Sequence, residues 1–119
     1  ACTHTCLPYL QDFTVDGTRR VVINNGAAGM PNFRDHPQGV FTRISTQAAP
    51  FEGLYGTTLQ DVHWEAIGIP CTPNDWLQWF EDTWPPGSPA WTNYRSRLLN
   101  GPSHTQADAI RLERAFAEP

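Results

Sequence analysis

Two strand-like runs, LQDFTV at 10–15 and TRRVVI at 18–23, flank Asp16-Gly17. Asp-Gly between two such runs is the preferred type I′ hairpin turn, so a hairpin is predicted here. The unbroken β-branched run Val21-Val22-Ile23 suits a strand covered on both faces, and it stops at NNGAAGMPNF, whose residues favour tight turns. Further on, Val40, Thr42 and Ile44 alternate with Phe41, Arg43 and Ser45, and His63, Glu65 and Ile67 alternate with Val62, Trp64 and Ala66. This period of two predicts strands over 39–46 and 62–69. Between them, Pro50, Gly53 and Gly56 mark a connection with room for a short pairing segment.

The pattern changes at Pro70. Thr72-Pro73-Asn74-Asp75 offers a capping threonine, a proline at the first helical position and an early acid, so a helix is predicted to start there and stop at Pro85-Pro86-Gly87. Trp76, Leu77, Trp79, Phe80 and Trp84 fall on its expected buried face. Ser88-Pro89 repeats the start signal ahead of Trp91, Tyr94 and Leu98, and Asn100-Gly101-Pro102 ends that helix. A last helix is predicted over roughly 104–116, with Ala109, Ile110, Glu113 and Phe116 on one side. Strands first and helices last predict an α+β arrangement without alternating βαβ units, and the ligand-like residues lie in the strand part.

Composition narrows the function. The 119 residues suit one domain, and 39% hydrophobic residues suffice for a core. The net charge of −4, with arginines but no lysine, speaks against a nucleic-acid or anionic-membrane surface. No apolar stretch is long enough for a membrane span, and the N-terminus lacks the layout of a signal peptide. Cysteines at 2, 6 and 71 form no disulfide framework, which fits a reducing, cytoplasmic setting. The tryptophans crowd between 64 and 91, so that half either buries an aromatic cluster or displays one.

Candidate chemistry concentrates at the start. In an extended chain Cys2, His4 and Cys6 share a face, and thiolate with imidazole suits zinc or another borderline-soft cation, with Cys71 available as a fourth ligand. Small buried cysteines with one hydrogen-bonded histidine are the plainer alternative. Asn24, Asn25, Asn32 and Arg34 lie on or beside the loop after the buried strand, where amides and a guanidinium suit a phosphate; asparagines also simply tolerate turn backbone. His36 follows Asp35, and neighbours in sequence usually point apart. His63 reads as a cross-strand partner, and His104 as a solvated residue opening the last helix.

His4-Thr5-Cys6-Leu7-Pro8, the Asp-Gly hairpin, VVINNGAAGMPNF and two strands ending at Pro70 together resemble the C-terminal part of the calcineurin-like metallophosphoesterase family. That family closes its active site with Gly-His-x-His and follows it with a strand ending in Asn-x-Gly-Ser. Here Thr3 stands in the place of the glycine and Cys6 in that of the second histidine. The resemblance implies a two-layer β-sandwich flanked by helices, with residues 1–70 as the C-terminal β-rich part and 71–119 as an aromatic-rich helical tail packed on it. It implies His4 and Cys6 as ligands in a centre of two divalent cations, with the thiolate favouring iron or zinc over manganese. The family's other ligands precede this motif, so the resemblance also implies that the chain is the C-terminal portion of a longer polypeptide. Its partners would be the missing N-terminal half and a phosphate mono- or diester, and this chain alone would be inactive. The tail is left with three roles: specificity cap, homodimer contact or packing. Two other classes stand beside this one: a non-catalytic interaction module docking through its aromatic helices, and a small zinc-stabilised domain using Cys2, His4, Cys6 and Cys71.

Overall fold

The computed structural model describes residues 1, 5–27, 29–70 and 73–112. Strands β1 (Tyr9–Val15) and β2 (Thr18–Asn24) form the expected hairpin, with Tyr9 opposite Asn24 and Val15 opposite Thr18. Both turn residues take positive φ, 51° at Asp16 and 72° at Gly17, as a type I′ turn requires. Of the Val-Val-Ile run only Ile23 is fully buried, because β2 enters the core at its C-terminal end.

Strands β3 (Gly39–Ser45) and β5 (Val62–Ile69) also form where the alternation placed them. The connection between them supplies β4 (Tyr55–Leu59), which pairs with β5 across a tight turn at Gln60-Asp61. Both of those residues adopt positive φ without a glycine, so the turn carried no strong local signal. The sheet order is β3-β5-β4, all antiparallel.

Helix α1 spans Pro73–Thr83 and α2 Pro89–Asn100. Ser88 caps α2 by accepting from the amide of Trp91, with Pro89 at its first turn. The expected capping residue of α1, Thr72, lies outside the described residues.

The last helix departs from expectation. Thr105 and Asp108 make a reciprocal capping box, but α3 lasts only from Gln106 to Ala109. The chain then extends as β6 (Ile110–Arg111), parallel to β1 with Leu10 opposite Ile110, giving the sheet order β2-β1-β6. The open edge of β1 offers ladder hydrogen bonds that a continuing helix would forgo, and this ends the helix early. Residues 113–116 of the predicted helix lie outside the described residues.

The architecture is therefore mixed α+β, with two small, mostly antiparallel sheets and short helices. Leu10 and Ile23 from one sheet, Val40, Tyr55 and Ala66 from the other, Phe33 from a connection and Ala109 from α3 form one buried cluster. A second departure concerns α1. Phe80 is buried, but Trp76, Trp79 and Trp84 are 41%, 61% and 44% exposed. Helical spacing states which residues share a face; it does not supply an element to cover that face. No helix among the described residues is long and apolar enough to cross a membrane.

Candidate functional site

The end of β2 holds the N-terminal segment in place. Asn24 is fully buried; its Nδ2 donates to Thr5 Oγ1 at 2.7 Å, and its Oδ1 accepts from the amide of Gly26 at 2.8 Å. Gly26 takes φ +78°, and a Cβ there would stand 2.2 Å from Asn32 Oδ1 and 3.0 Å from Pro8 Cδ. Only glycine fits that position, both conformationally and sterically. Asn32, also fully buried, clamps Ala27 from both sides: its Oδ1 accepts from the Ala27 amide at 2.7 Å, and its Nδ2 donates to the Ala27 carbonyl at 3.0 Å. Burying two asparagines is tolerable because these bonds replace those lost to water.

The other two candidates on this loop are occupied elsewhere. Asn25 Nδ2 donates to the Val40 carbonyl at 3.1 Å, tying the loop to β3. Arg34 is exposed and donates to the carbonyl of Ser103 at 2.8 Å. Of Asn24, Asn25, Asn32 and Arg34, only Asn32 borders a cavity with Cys6.

That cavity has a volume of about 430 Å³ and lies between the N-terminal segment and the end of α2. Thr5, Cys6, Asn32, Arg97, His104 and Asp108 line it, with Leu7, Pro8, Pro102 and Ser103 completing the wall. The chain at Cys6 has φ 51°, so the extended backbone that would place Cys2, His4 and Cys6 on one face does not continue to Cys6. Thr5 anchored on Asn24 and Pro8 buried beside Gly26 account for the turn. Cys2, His4 and Cys71 lie outside the described residues.

Arg97, His104 and Asp108 were not among the site residues read from sequence. His104, expected to be solvated, is half-buried and stacks on Phe33 with ring centroids 5.9 Å apart. Its Nε2 lies 2.9 Å from the Pro8 carbonyl. A carbonyl oxygen only accepts, so Nε2 is the donor in this contact, and whenever the ring is uncharged Nδ1 holds the lone pair. Arg97 sits in the last turn of α2 with its Nε shut off from solvent and unbonded among the described residues. Arg19, Arg43 and Arg95 are by contrast paired with carboxylates. Asp108 Oδ2 accepts from Thr105 Oγ1 at 2.7 Å and from the Thr105 amide at 2.8 Å. Those two bonds, assisted by the charges of His104 and Arg34, hold its carboxyl below the usual range.

Pro8 and His104 are separated by 96 positions, and no local pattern signals their meeting. Elsewhere, Thr58 Oγ1 and His63 Nδ1 lie 3.2 Å apart between opposed residues of β4 and β5, the cross-strand role expected of His63. His36 is exposed and closes a small bridge with Phe33.

As a cation site, the described part of the chain is incomplete. Among the described residues no three His, Cys, Asp or Glu side chains are grouped so as to hold a metal ion. Cys6 contributes one exposed sulfur to the cavity wall. Comparison with known proteins returned no matching family model, no matching curated protein and no matching solved structure.

Proposed function

We propose that the chain is the C-terminal segment of a calcineurin-like, metal-dependent phosphoesterase hydrolysing a phosphate mono- or diester. In this reading His4 and Cys6 are its contribution to a centre of two manganese, iron or zinc ions, and the remaining ligands belong to an N-terminal half. The observation that supports it is the Asn24–Thr5 hydrogen bond. It joins the Thr5-Cys6 segment to the end of the Val22-Ile23-Asn24-Asn25-Gly26 run, the two stretches on which the resemblance rests, beside a polar cavity. Two sheets sharing one buried cluster are also compatible with the two-layer core of such a domain.

The donor set among the described residues does not form a metal cage, and no catalytic step is assigned to it. When bound, paired cations supply a bridging water of lowered pKa and neutralise phosphoryl charge. What this chain's own residues do is form a wall. Asn24 and Asn32 hold the loop that positions Cys6, while Arg97 places positive charge on the cavity.

The test is hydrolysis of p-nitrophenyl phosphate and bis(p-nitrophenyl) phosphate with manganese, iron or zinc, by the 119-residue chain and by a longer polypeptide containing it. The longer polypeptide turns over, the 119-residue chain does not, and His4→Ala or Cys6→Ala lowers the rate by about 100-fold or more. Absence of turnover with all three cations overturns the enzymatic reading.

The exposure of Trp79 favours a second reading, a non-catalytic interaction module. Helix α1 carries Asp75, Glu81 and Asp82 and no basic residue, so its aromatic face suits a protein partner with an apolar surface and a basic rim. Trp79→Ala would then abolish capture of that partner while His4→Ala leaves it intact, the reverse of what the phosphoesterase reading requires.

A further inference from the structure

We propose that the cavity between Cys6 and Arg97 is a subsite for a phosphorylated polyol, in which Arg97 takes the phosphate while His104 and Asp108 accept hydrogen bonds from neighbouring hydroxyls. The proposal deepens the phosphoesterase reading by naming a substrate class and rests on it for any hydrolysis, but the binding itself requires no metal.

The donors and acceptors on the wall carry the argument. Arg97 is the cation of this cavity, and its guanidinium has no carboxylate partner among the described residues. Arg97 lines the cavity with its Nε shielded and unbonded among the described residues, and a guanidinium pairs with phosphate through its N–H fork. The other polar groups are acceptors. His104 directs Nε2–H at the Pro8 carbonyl, which leaves Nδ1 of the uncharged ring to accept. Asp108 gives Oδ2 to Thr105, which leaves Oδ1 to accept. A bare phosphate satisfies Arg97 but offers these lone pairs no adequate set of donors. A phosphate ester with hydroxyl groups nearby satisfies both, and Leu7, Pro8 and Pro102 give its carbon skeleton an apolar wall. The volume of about 430 Å³ suits such a molecule.

The net charge of −4 gives anions no long-range attraction to this chain, so affinity must come from local pairing. That makes the proposal sensitive to single substitutions.

The test is calorimetric titration of the full 119-residue chain, in chelator and without metal, with glycerol 3-phosphate, inorganic phosphate and glycerol. Glycerol 3-phosphate is expected to bind at least about tenfold more tightly than phosphate, and glycerol not to bind. Arg97→Met should weaken glycerol 3-phosphate by about tenfold or more, with Arg97→Lys intermediate. Asp108→Asn should remove most of the preference over phosphate. Equal affinity for the two phosphates overturns the proposal, as does unchanged binding in Arg97→Met that keeps its circular dichroism. If Arg97→Met fails to fold, Asp108→Asn decides by the same preference ratio. Tight binding with no hydrolysis by the metal-loaded longer polypeptide leaves the subsite and overturns the phosphoesterase reading. Hydrolysis without selective binding here does the converse.

Discussion

The hydroxyl of Tyr55 donates to the backbone carbonyl of Asn24 at 2.6 Å, joining β4 of one sheet to the end of β2 in the other. Both residues are buried, so neither group has water as an alternative partner. Tyr55→Phe keeps the ring and its edge contact with Phe33 but leaves that carbonyl short of a donor. The expected loss is about 1–3 kcal/mol, read as a lower urea midpoint at unchanged slope. No change in midpoint would mean that another group satisfies the carbonyl.

The same tyrosine sets an alkaline limit. Burial pushes the Tyr55 phenol well above its ordinary value. In the unfolded chain it ionises near pH 10, whereas the folded protein keeps its proton to higher pH. Between those two values the native state binds more protons than the unfolded state, so this contribution is complete below about pH 10 and is lost as pH rises further. Thermal melts of the wild type should fall above about pH 10, and Tyr55→Phe should show a shallower fall.

Gly101 ends α2 with φ 70° and ψ −176°, a region essentially restricted to glycine. A Cβ there would lie 2.1 Å from the Phe33 carbonyl oxygen, a backbone atom unable to swing aside. Gly87 also has positive φ, 86°, but an added Cβ would meet nothing within 4 Å. Gly87→Ala is expected to cost about 1–2 kcal/mol for backbone conformation alone. Gly101→Ala should cost more and disturb the packing of α2 on the Phe33 loop. Equal costs by chemical denaturation would show that the close approach contributes nothing.

Phe80 and Trp79 are adjacent on α1, yet Phe80 is 6% exposed and Trp79 61%. Phe80→Ala should destabilise by about 3–5 kcal/mol through lost burial and the cavity left behind. Trp79→Ala should stay within about 0.5 kcal/mol if nothing covers that face. A large loss at Trp79 in the isolated chain would reveal a packing partner for it.

Local chemistry made several elements legible from sequence. Asp16-Gly17 announced the hairpin, period-two alternation placed β3 and β5, and Ser88-Pro89 placed the start of α2. Each signal acts within a few residues. The candidate site was less legible. The loop carrying Asn24, Gly26 and Asn32 was visible as a turn, but its asparagines proved to be occupied largely in holding the loop itself. Asn32 borders the cavity with Cys6, whereas Arg97, His104 and Asp108 arrive there from a different part of the chain.

Backbone preference and hydrophobic period are short-range properties, so they belong to the chain before it folds, and with them come the hairpin, β3, β5 and the turn-rich loop. Coverage and pairing at a distance belong to the folded state. Only there does the free edge of β1 take Ile110 out of a helix, only there does Phe80 find cover while Trp79 does not, and only there does His104 meet Pro8. The reason is the same in each case: a strand edge, an apolar face and a carbonyl each accept any suitable partner, and the fold decides which one comes within reach.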